Sequence, residues 1–353
     1  MRDKRYEHGG NIYDYAKELI DFSSNINPLG PPIWVEKIID KIDLSRYPDV
    51  KYRELRESIG RYVNYPMEYI LPGNGLAELI FLFVRAYRIK KPLIVSPTFT
   101  EYERAVYLNG GKPRFLKLRE DDLFKLNIYE VIDRIADVDG IFICNPNNPT
   151  GTVLKLDELR MIIETAKLFN IPVFVDEAFI EFIPDERSYS ALSLIDRFDN
   201  LIVARAITKF FALPGVRLGY IVSQPVITEK LWYYKEPWSV NSIADEIGKR
   251  IFEDKGYIKK SKETVTDLRE DFISELSKID EIKVFPSTCN FILVKLKKLN
   301  SAIVKTKLLE KGFLIRDASN FRYLNKKFIR LAVRKKEENT KLIEALKQIF
   351  RER

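Results

Sequence analysis

The stretch ITKFFALPGVRLGY, residues 207–220, places a lysine among apolar side chains directly after a run typical of a buried strand. An ammonium group prefers water, so Lys209 is costly at that position unless it has a function. An amine held away from water has a lowered pKa and attacks carbonyl carbons more readily near neutral pH. Arg217, a few residues later, would supply a counter-charge for an anion. Lys209 is therefore the first candidate for a catalytic group.

Asp176 is the second candidate, because it lies at the end of the almost wholly apolar run IPVFVDEA. A carboxylate in that position is either paired or functional, since burying it alone is costly. The motif NPNNPTG places Asn148 after another such run, although by itself this motif is typical of an ordinary turn. In LPGNGLAELI, Gly75 stands where a loop enters a helix. The free N–H groups of a helix start bind phosphate, but a glycine pair alone usually marks only a turn.

The segment SPTFTEY offers two aromatic rings just beyond a strand, Phe99 and Tyr102. Phe99 is expected in the core, whereas Tyr102 is equally suited to the core and to stacking on a flat ligand. An amine, a carboxylate, an amide donor, an aromatic ring and a phosphate-binding turn together match the groups of pyridoxal 5'-phosphate. Those groups are an aldehyde, a pyridine nitrogen, a phenolic oxygen, a planar ring and a phosphate. We therefore expect this cofactor.

The elements around these motifs predict one sheet that brings them together. From about Gly75 to Tyr220, helical patterns alternate with the apolar runs PLIVSP, GIFICNP, IPVFVDEA and NLIVARA. The predicted helix LDELRMIIETAKLFN, opened by an aspartate of the capping type, separates the second run from the third. Apolar strands separated by helices indicate a parallel sheet covered on both faces, and the ligands of such sheets bind beyond the carboxyl ends of the strands.

After about Tyr233 the pattern changes to a long helical stretch, from about Ile243 to Ile279, and then to short strands that are expected to pair mostly antiparallel. The predicted fold class is α/β, with a three-layer αβα large domain built on a mostly parallel sheet and a smaller α+β domain. We divide the chain into an N-terminal arm that joins the small domain (residues 1–40), a large cofactor-binding domain (41–240) and a small C-terminal domain (241–353).

The motifs NPNNPTG, VDEAF and TKFFALPGVRLGY stand in the order found in fold-type I pyridoxal-phosphate enzymes, and the chain resembles their class I/II aminotransferase group over essentially its full length. The resemblance implies a homodimer with a shared active site. It implies that Lys209 holds the cofactor and shuttles protons, that Asp176 pairs with the pyridine nitrogen and that Asn148 binds the ring oxygen. The other cofactor contacts that it implies are Tyr102 on the ring, the backbone of Gly75, Leu76 and Ala77 with Thr208 and Arg217 on the phosphate, and Tyr47 from the neighbouring subunit.

The chain departs from the family pattern at two positions. Many relatives carry a serine or threonine three residues before the lysine, where this chain has Ala206. Either Thr208 replaces that phosphate ligand or the phosphate has one ligand fewer. The residue three after the aspartate is often a tyrosine that donates to the ring oxygen, and here it is Phe179, which cannot donate. Asn148 would then bind this oxygen alone, which argues against ordinary transamination.

Within the group, the chain resembles both the L-threonine-O-3-phosphate decarboxylases of cobalamin biosynthesis and the histidinol-phosphate aminotransferases. Several segments are more similar to the decarboxylases, and these are HGGNIYDYA followed by DFSSNINPLGPP, DEAFIEF, EPWSVN, and IRDASNFRYL with FIRLAVRKKEEN. The resemblance therefore favours a lyase that converts L-threonine O-3-phosphate to (R)-1-aminopropan-2-yl phosphate. Transamination of histidinol phosphate in histidine biosynthesis, or by a related aminotransferase, is the alternative.

Both substrates carry a phosphate, so the site needs a second place for an anion. The C-terminal region supplies a local group of guanidiniums, which are Arg316, Arg322, Arg330 and Arg334. The resemblance implies that Arg330 binds the substrate carboxylate, and Arg316 is expected to bind substrate as well. Arg322 and Arg334 are equally suited to surface ion pairs. His8 and Asn27 are expected at the mouth, although His8 is equally suited to the surface near a mobile terminus.

Composition argues against other classes of function. The net charge is +8, but basic residues interleave with acids, so we expect a phosphorylated amino acid rather than nucleic acid as the partner. Cys144 and Cys289 lack metal-ligand spacing and His8 is the only histidine, so no metal site is expected. We expect a cytoplasmic enzyme, because the chain has no signal-peptide pattern and its longest apolar run is too short to span a membrane. A non-catalytic relative that retains the cofactor is the alternative from another class.

Overall fold

Two β-sheets organise the part of the chain that this computed structural model describes, residues 6–15 and 18–352. The strands are β1 (Ile20–Phe22), β2 (Ile70–Gly73), β3 (Leu93–Ser96), β4 (Arg114–Lys117), β5 (Ile141–Cys144), β6 (Val173–Asp176), β7 (Leu201–Ala206), β8 (Gly219–Val222), β9 (Ile282–Val284), β10 (Phe291–Leu296), β11 (Phe313–Asp317) and β12 (Phe328–Ala332). Among the described residues, the order in the larger sheet is β2-β8-β7-β6-β5-β3-β4. Strand β8 is antiparallel to both neighbours and the other pairs are parallel, which confirms the predicted α/β fold.

Four strands of the larger sheet coincide with the predicted apolar runs. Strands β3, β6 and β7 are buried along their whole length, and β5 is buried up to Cys144, which is partly exposed. Such runs are almost wholly apolar because both faces of a parallel sheet are covered. These four strands run in one direction, so their last residues lie at one rim of the sheet, and these are Ser96, Cys144, Asp176 and Ala206.

The helices are α1 (Trp34–Ile39), α2 (Arg53–Val63), α3 (Gly75–Ala86), α4 (Glu101–Leu108), α5 (Ile128–Ile132), α6 (Leu156–Leu168), α7 (Ile207–Phe210), α8 (Pro225–Tyr234), α9 (Ser242–Ile251), α10 (Lys255–Ser277), α11 (Ser301–Glu310) and α12 (Lys336–Arg351). Helix α6 lies where the sequence predicts it, but Asp157 does not cap it, because the helix already begins at Leu156. The carboxylate of Glu158 instead accepts the N–H of Lys155 at 2.7 Å.

The helical stretch predicted from about Ile243 to Ile279 is helical in the structure, but it consists of two helices, α9 and α10. Asp254 lies between them, and its carboxylate accepts the N–H of Tyr257 at 2.9 Å. This bond satisfies a backbone donor at the start of α10, so a local cap interrupts an otherwise continuous helical pattern.

The smaller sheet has the order β1-β11-β12-β10-β9 among the described residues. Strand β1 pairs parallel with β11, and the remaining pairs are antiparallel. The N-terminal arm therefore adds an edge strand to a sheet formed by the C-terminal part of the chain, while the exact domain boundaries stay a prediction. Within the described residues, no helix combines the length and apolarity that crossing a membrane requires.

Candidate active site

A cavity of about 420 Å³ lies between the rim of the larger sheet on one side and the arm and smaller sheet on the other. Ten of the residues predicted from the sequence line it, and these are His8, Leu76, Ala77, Asn148, Asp176, Thr208, Lys209, Arg217, Arg316 and Arg330. The larger sheet brings its residues together as expected, since they follow strands that end at the same rim.

Lys209 lies on the short helix α7, immediately after β7. Burial lowers the pKa of its ammonium group to about 8, and the positive charges of Arg330 and Arg217 act in the same direction. A substantial fraction of the side chain is therefore a neutral amine near physiological pH. A neutral amine is the form that attacks an aldehyde.

Asp176 is the last residue of β6, and 3% of its surface is exposed. Burial raises the pKa of its carboxyl to about 6, although two hydrogen bonds to the carboxylate oppose this shift. The Tyr102 hydroxyl donates to Oδ2 at 2.5 Å, and the N–H of Ala178 donates to Oδ1 at 2.9 Å. At neutral pH the group is mainly a carboxylate, which suits it to pair with a protonated ring nitrogen.

Asn148 and Arg330 connect the two sides of the cavity. The Nη1 atom of Arg330 donates to Oδ1 of Asn148 at 2.5 Å, and its Nη2 atom donates to the carbonyl oxygen of Ser23 at 2.7 Å. A guanidinium only donates hydrogen bonds, so the amide oxygen must face Arg330. The Nδ2 group of Asn148 is left as the donor for a ligand oxygen.

The start of α3 forms an anion cradle. Gly75 has a φ of 73°, in the left-handed region, and a Cβ there would lie 2.3 Å from Nη2 of Arg217. Only glycine therefore lets the Arg217 guanidinium pack against this turn. Leu76 and Ala77 follow in the cavity wall, where the first N–H groups of a helix lack intrahelical partners. Thr208 also lines the cavity and offers a hydroxyl, whereas neighbouring Ala206 offers none.

Arg316 and Arg330 lie opposite each other on the paired strands β11 and β12. Both are buried, at 7% and 5% exposure, and Nε of Arg330 has no hydrogen-bond partner. Burial lowers the pKa of Arg330 to about 9, and the charge of Arg316 adds to this effect. Two buried like charges are unfavourable together, so this part of the wall is suited to an anionic ligand.

Arg322 and Arg334 do not line the cavity, which agrees with the alternative that both are ion-pair partners. Arg322 Nη2 lies 2.7 Å from Oε2 of Glu103, and Arg334 Nη2 lies 2.9 Å from Oε1 of Glu338. Each of these two guanidiniums is thus paired with a glutamate and does not face the cavity. Sequence proximity to Arg316 and Arg330 therefore overstated the size of the cluster.

Tyr102 does not occupy the position predicted for it. Its side chain is fully buried, and its ring stacks on Phe142 with centroids 5.1 Å apart. It therefore lies behind Asp176 rather than against a ligand in the cavity. Phe99, which the sequence placed in the core, lines the cavity instead. Both aromatic residues follow the end of the same strand, β3, so the sequence does not distinguish them. Which ring faces the cavity depends on the direction in which α4 leaves that strand.

Asn27 is likewise turned away from the cavity. Its Nδ2 group donates to the carbonyl oxygen of Phe210 at 2.7 Å and to Oγ of Ser261 at 2.9 Å, and its backbone N–H donates to the carbonyl oxygen of Lys209 at 3.1 Å. It ties the arm to the segment around Lys209. Asn25, two residues earlier, lines the cavity with a buried Oδ1 that has no partner.

The mouth of the cavity involves the arm. His8 Nε2 lies 2.8 Å from Oε1 of Glu101, and 47% of the histidine side chain is exposed. Glu101 is itself buried, and the histidine and Arg104 offset the cost of burying it by lowering the pKa of its carboxyl. Sequence reasoning missed Glu101, because a charged residue at the start of a helix gave no signal of its contact with a distant arm.

Comparison with known proteins shows the family of this chain. The model of the family Aminotransferase class I and II matches residues 17–346. The chain belongs to this family. It is 54% identical, over 99% of this chain and 95% of the relative, to a protein of Caldanaerobacter subterraneus subsp. tengcongensis that is provisionally named a threonine-phosphate decarboxylase. It is 34% identical to the threonine-phosphate decarboxylase of Salmonella typhimurium, over 97% and 96% of the two chains. The crystal structure of the histidinol-phosphate aminotransferase from Clostridium acetobutylicum superposes with a TM-score of 0.88 at 36% identity, over 94% of this chain and 99% of that one.

Class I and II aminotransferases use pyridoxal 5'-phosphate, and the described residues fit each of its functional groups. Lys209 offers a neutral amine for the aldehyde, and Asp176 offers a carboxylate for the pyridine nitrogen. A side chain at Gly75 would strain the left-handed turn and displace the Arg217 guanidinium from it, so the turn has the open form expected of a phosphate cradle. Phe99 lies in the wall where a planar ring would be covered.

Proposed function

We propose that this protein is a lyase that removes the carboxylate of L-threonine O-3-phosphate, giving carbon dioxide and (R)-1-aminopropan-2-yl phosphate, a step of cobalamin biosynthesis. One observation carries the proposal, namely that two buried guanidiniums, Arg316 and Arg330, lie side by side in the cavity that holds Lys209. L-threonine O-3-phosphate has two anionic groups, and each would find an arginine. The similarity to two threonine-phosphate decarboxylases supports the same substrate.

The cofactor, when bound, withdraws the electron pair that is released when a bond at the substrate α-carbon breaks. Asp176 would keep the pyridine nitrogen protonated, which strengthens that withdrawal. In the proposed reaction the bond between the α-carbon and the carboxylate carbon breaks, carbon dioxide leaves and a proton adds to the α-carbon. The Nζ atom of Lys209, whose pKa is about 8, is suited to hold and deliver that proton.

The two arginines would decide which bond breaks. The bond at the α-carbon that these side chains orient for cleavage would be the one that breaks, so in a decarboxylase they would direct the substrate carboxylate toward loss. Arg330, already hydrogen-bonded to Asn148, would bind the carboxylate, and Arg316 would bind the phosphate near the arm. His8 and Asn25 would complete the substrate site from the arm, where Asn25 offers an unpaired Oδ1.

Transamination of histidinol phosphate is the second candidate, and the 36% identical solved aminotransferase favours it. Histidinol phosphate has no carboxylate, so one arginine would instead serve the oxo-acid that accepts the amino group. Phe179 argues against this reading, because it lines the cavity without a hydroxyl to donate to the ring oxygen.

The deciding experiment measures products from the purified, cofactor-loaded protein. With O-phosphothreonine alone, we expect carbon dioxide and aminopropanol phosphate in equal amounts, without any oxo-acid. Glutamate that forms only from histidinol phosphate and 2-oxoglutarate would overturn the proposal in favour of the aminotransferase. Absence of both products from a protein that binds cofactor would indicate a non-catalytic relative.

We propose that the enzyme acts as a cytoplasmic homodimer in which Tyr47 reaches the cofactor phosphate of the neighbouring subunit. Tyr47 is 80% exposed, and its ring lies 4.8 Å from that of Trp238, so a partner surface would cover both. Mixing the Lys209→Ala and Tyr47→Phe proteins, refolded together, should restore part of the activity, because hybrid dimers contain one intact site. No restoration would contradict a shared site.

A further inference from the structure

Tyr102 and Asp176 form a hydrogen bond on the side of Asp176 that faces away from the cavity. The Tyr102 hydroxyl, from the first turn of α4, lies 2.5 Å from Oδ2 of Asp176 at the end of β6. Tyr102 has no exposed surface, and its ring is held by stacking on Phe142 at 5.1 Å. The hydroxyl is thus held in place by the packing of its ring, and Tyr102 is not part of the cavity wall.

The Tyr102 hydroxyl is one of few groups that can stabilise the charged form of Asp176. The charged form of a buried carboxylate is stable only where donors replace the lost water. In the described part of the chain, the donors to Asp176 are Tyr102 and the N–H of Ala178, one to each oxygen. The negative charge of Glu177, the next residue in the chain, works against the charged form of Asp176. The Cys144 thiol on β5 is also close, and burial keeps it neutral by raising its pKa.

We propose that Tyr102 is a positioning residue whose hydroxyl keeps Asp176 ionised and aimed at the pyridine nitrogen of the cofactor. The bond to Oδ2 fixes the rotation of the carboxylate, while the bond from Ala178 fixes Oδ1, so the group has no freedom to turn from the cavity. The inference rests on the use of this cofactor and not on which amino acid is the substrate. Its test is therefore made on cofactor binding.

The experiment compares the wild-type and Tyr102→Phe proteins, prepared without cofactor and titrated with pyridoxal 5'-phosphate between pH 5.5 and 8.5. Removing the donor raises the pKa of Asp176 further above its present value of about 6, so the variant loses its carboxylate at a higher pH than the wild type. A rise of one unit in the pKa of a carboxyl group lowers the ratio of its charged to its neutral form tenfold at a given pH. We expect the variant to bind cofactor about tenfold more weakly near pH 6 and almost equally well above pH 8.

Groups that titrate on the cofactor itself affect both proteins equally, so only the ratio of the two dissociation constants is interpreted. A ratio that is the same at every pH would overturn the proposal, because it would indicate a packing role alone. Tyr107→Phe, on the same helix and 40% exposed, is the matched control and should give a ratio of about one throughout. In an Asp176→Asn background, Tyr102→Phe should no longer produce a pH-dependent ratio.

Carbon-13 NMR of aspartate carboxyls in the cofactor-free proteins gives a second readout without ligand. The resonance absent from the Asp176→Asn protein identifies Asp176, and its titration midpoint should rise in Tyr102→Phe. If that variant does not fold, ring-fluorinated tyrosine at position 102 replaces it. The more acidic hydroxyl is a stronger donor, so the midpoint should fall. An unchanged midpoint in either protein would overturn the proposal, whatever substrate the enzyme is found to use.

Discussion

The two walls of the cavity are built in different ways. The wall formed by the rim of the larger sheet consists of residues at or just beyond the ends of its strands, such as Asp176 at the end of β6 and Lys209 after β7. The opposite wall combines the arm with the smaller sheet, so that His8 and Asn25 meet Arg316 and Arg330 although almost the whole chain separates them. We call these the rim wall and the arm wall.

The difference in construction corresponds to a difference in chemistry. In the proposed reaction the rim wall holds the groups that make and break bonds, and its Asp176 carboxylate accepts two hydrogen bonds. The arm wall holds groups with unmet hydrogen-bonding capacity, which are Oδ1 of Asn25 and Nε of Arg330. A general reaction centre and a separate selecting surface are thus arranged to face each other, so relatives with the same rim wall can act on different substrates.

The largest expected effect is the loss of Lys209 from the rim wall. The Lys209→Ala protein should fold, because shortening a buried lysine removes an unfavourable charge, but its turnover should fall by about 10³-fold or more. The absorbance band that arises from covalent attachment of the cofactor to this amine should also disappear, leaving the spectrum of the unattached aldehyde. Steady-state product formation and an absorbance spectrum check both effects. Retention of that absorbance would show that the cofactor is not held by this amine.

Substitutions in the arm wall should change the use of substrate rather than the binding of cofactor. Arg330→Lys keeps the charge but loses the planar fork that binds a carboxylate, so kcat/KM should fall by about 10²-fold while cofactor affinity changes little. The matched control is Arg334→Lys, whose guanidinium pairs with Glu338 outside the cavity and should change kcat/KM by less than about threefold. Equal losses in the two variants would contradict the division into two walls.

The rim wall was largely predictable from sequence, and the arm wall was predictable only in part. The apolar runs identify the strands and parallel strands must end at one rim, so Asp176 and Lys209 are found by local pattern, and Asn148 by the order of the family motifs. His8, Arg316 and Arg330 were predicted as well, but Asn25 was missed. Whether Arg316 and Arg330 lie side by side in the arm wall depends on the register of β11 against β12. Local sequence pattern does not determine this register. Arg322 and Arg334 have similar sequence surroundings but face carboxylates elsewhere.

The wrong assignments have a common physical cause. Asn25 and Asn27 lie in the same polar turn, and which of them faces the cavity depends on the distant acceptors Phe210 and Ser261. Phe99 and Tyr102 follow the same strand, and the hydroxyl of Tyr102 pairs with Asp176 across the sheet. Each choice is thus made by a tertiary hydrogen bond that has no local sequence signature.

The charge of the arm wall also influences the rim wall, and we expect it to change the rate of cofactor attachment about tenfold in a pH-dependent way. Burial and the charge of Arg330 lower the pKa of Lys209 to about 8, so the rate of cofactor attachment should rise about tenfold per pH unit below pH 7 and level off above pH 9. In an Arg330→Gln protein the rise should continue to higher pH, because a lost positive neighbour lets the ammonium persist. Stopped-flow absorbance after mixing with cofactor measures both curves, and coincident curves would show that the walls are electrostatically independent.

The smallest expected effect comes from adding one hydroxyl group to either wall and comparing the two variants. Phe179 lines the rim side of the cavity and packs edge to face on Phe291 with centroids 5.0 Å apart. If the cofactor binds as proposed, Phe179→Tyr adds a hydrogen-bond donor for the ring oxygen. A hydrogen bond to that oxygen stabilises its charged form, and the visible absorbance of the bound cofactor should titrate about one pH unit lower. Phe321→Tyr adds the same hydroxyl to the arm wall, beneath Arg316, and should leave this titration unchanged while altering KM. If both variants shifted the titration equally, the ring oxygen would be open to both walls, and the absence of a tyrosine at position 179 would no longer argue for decarboxylation.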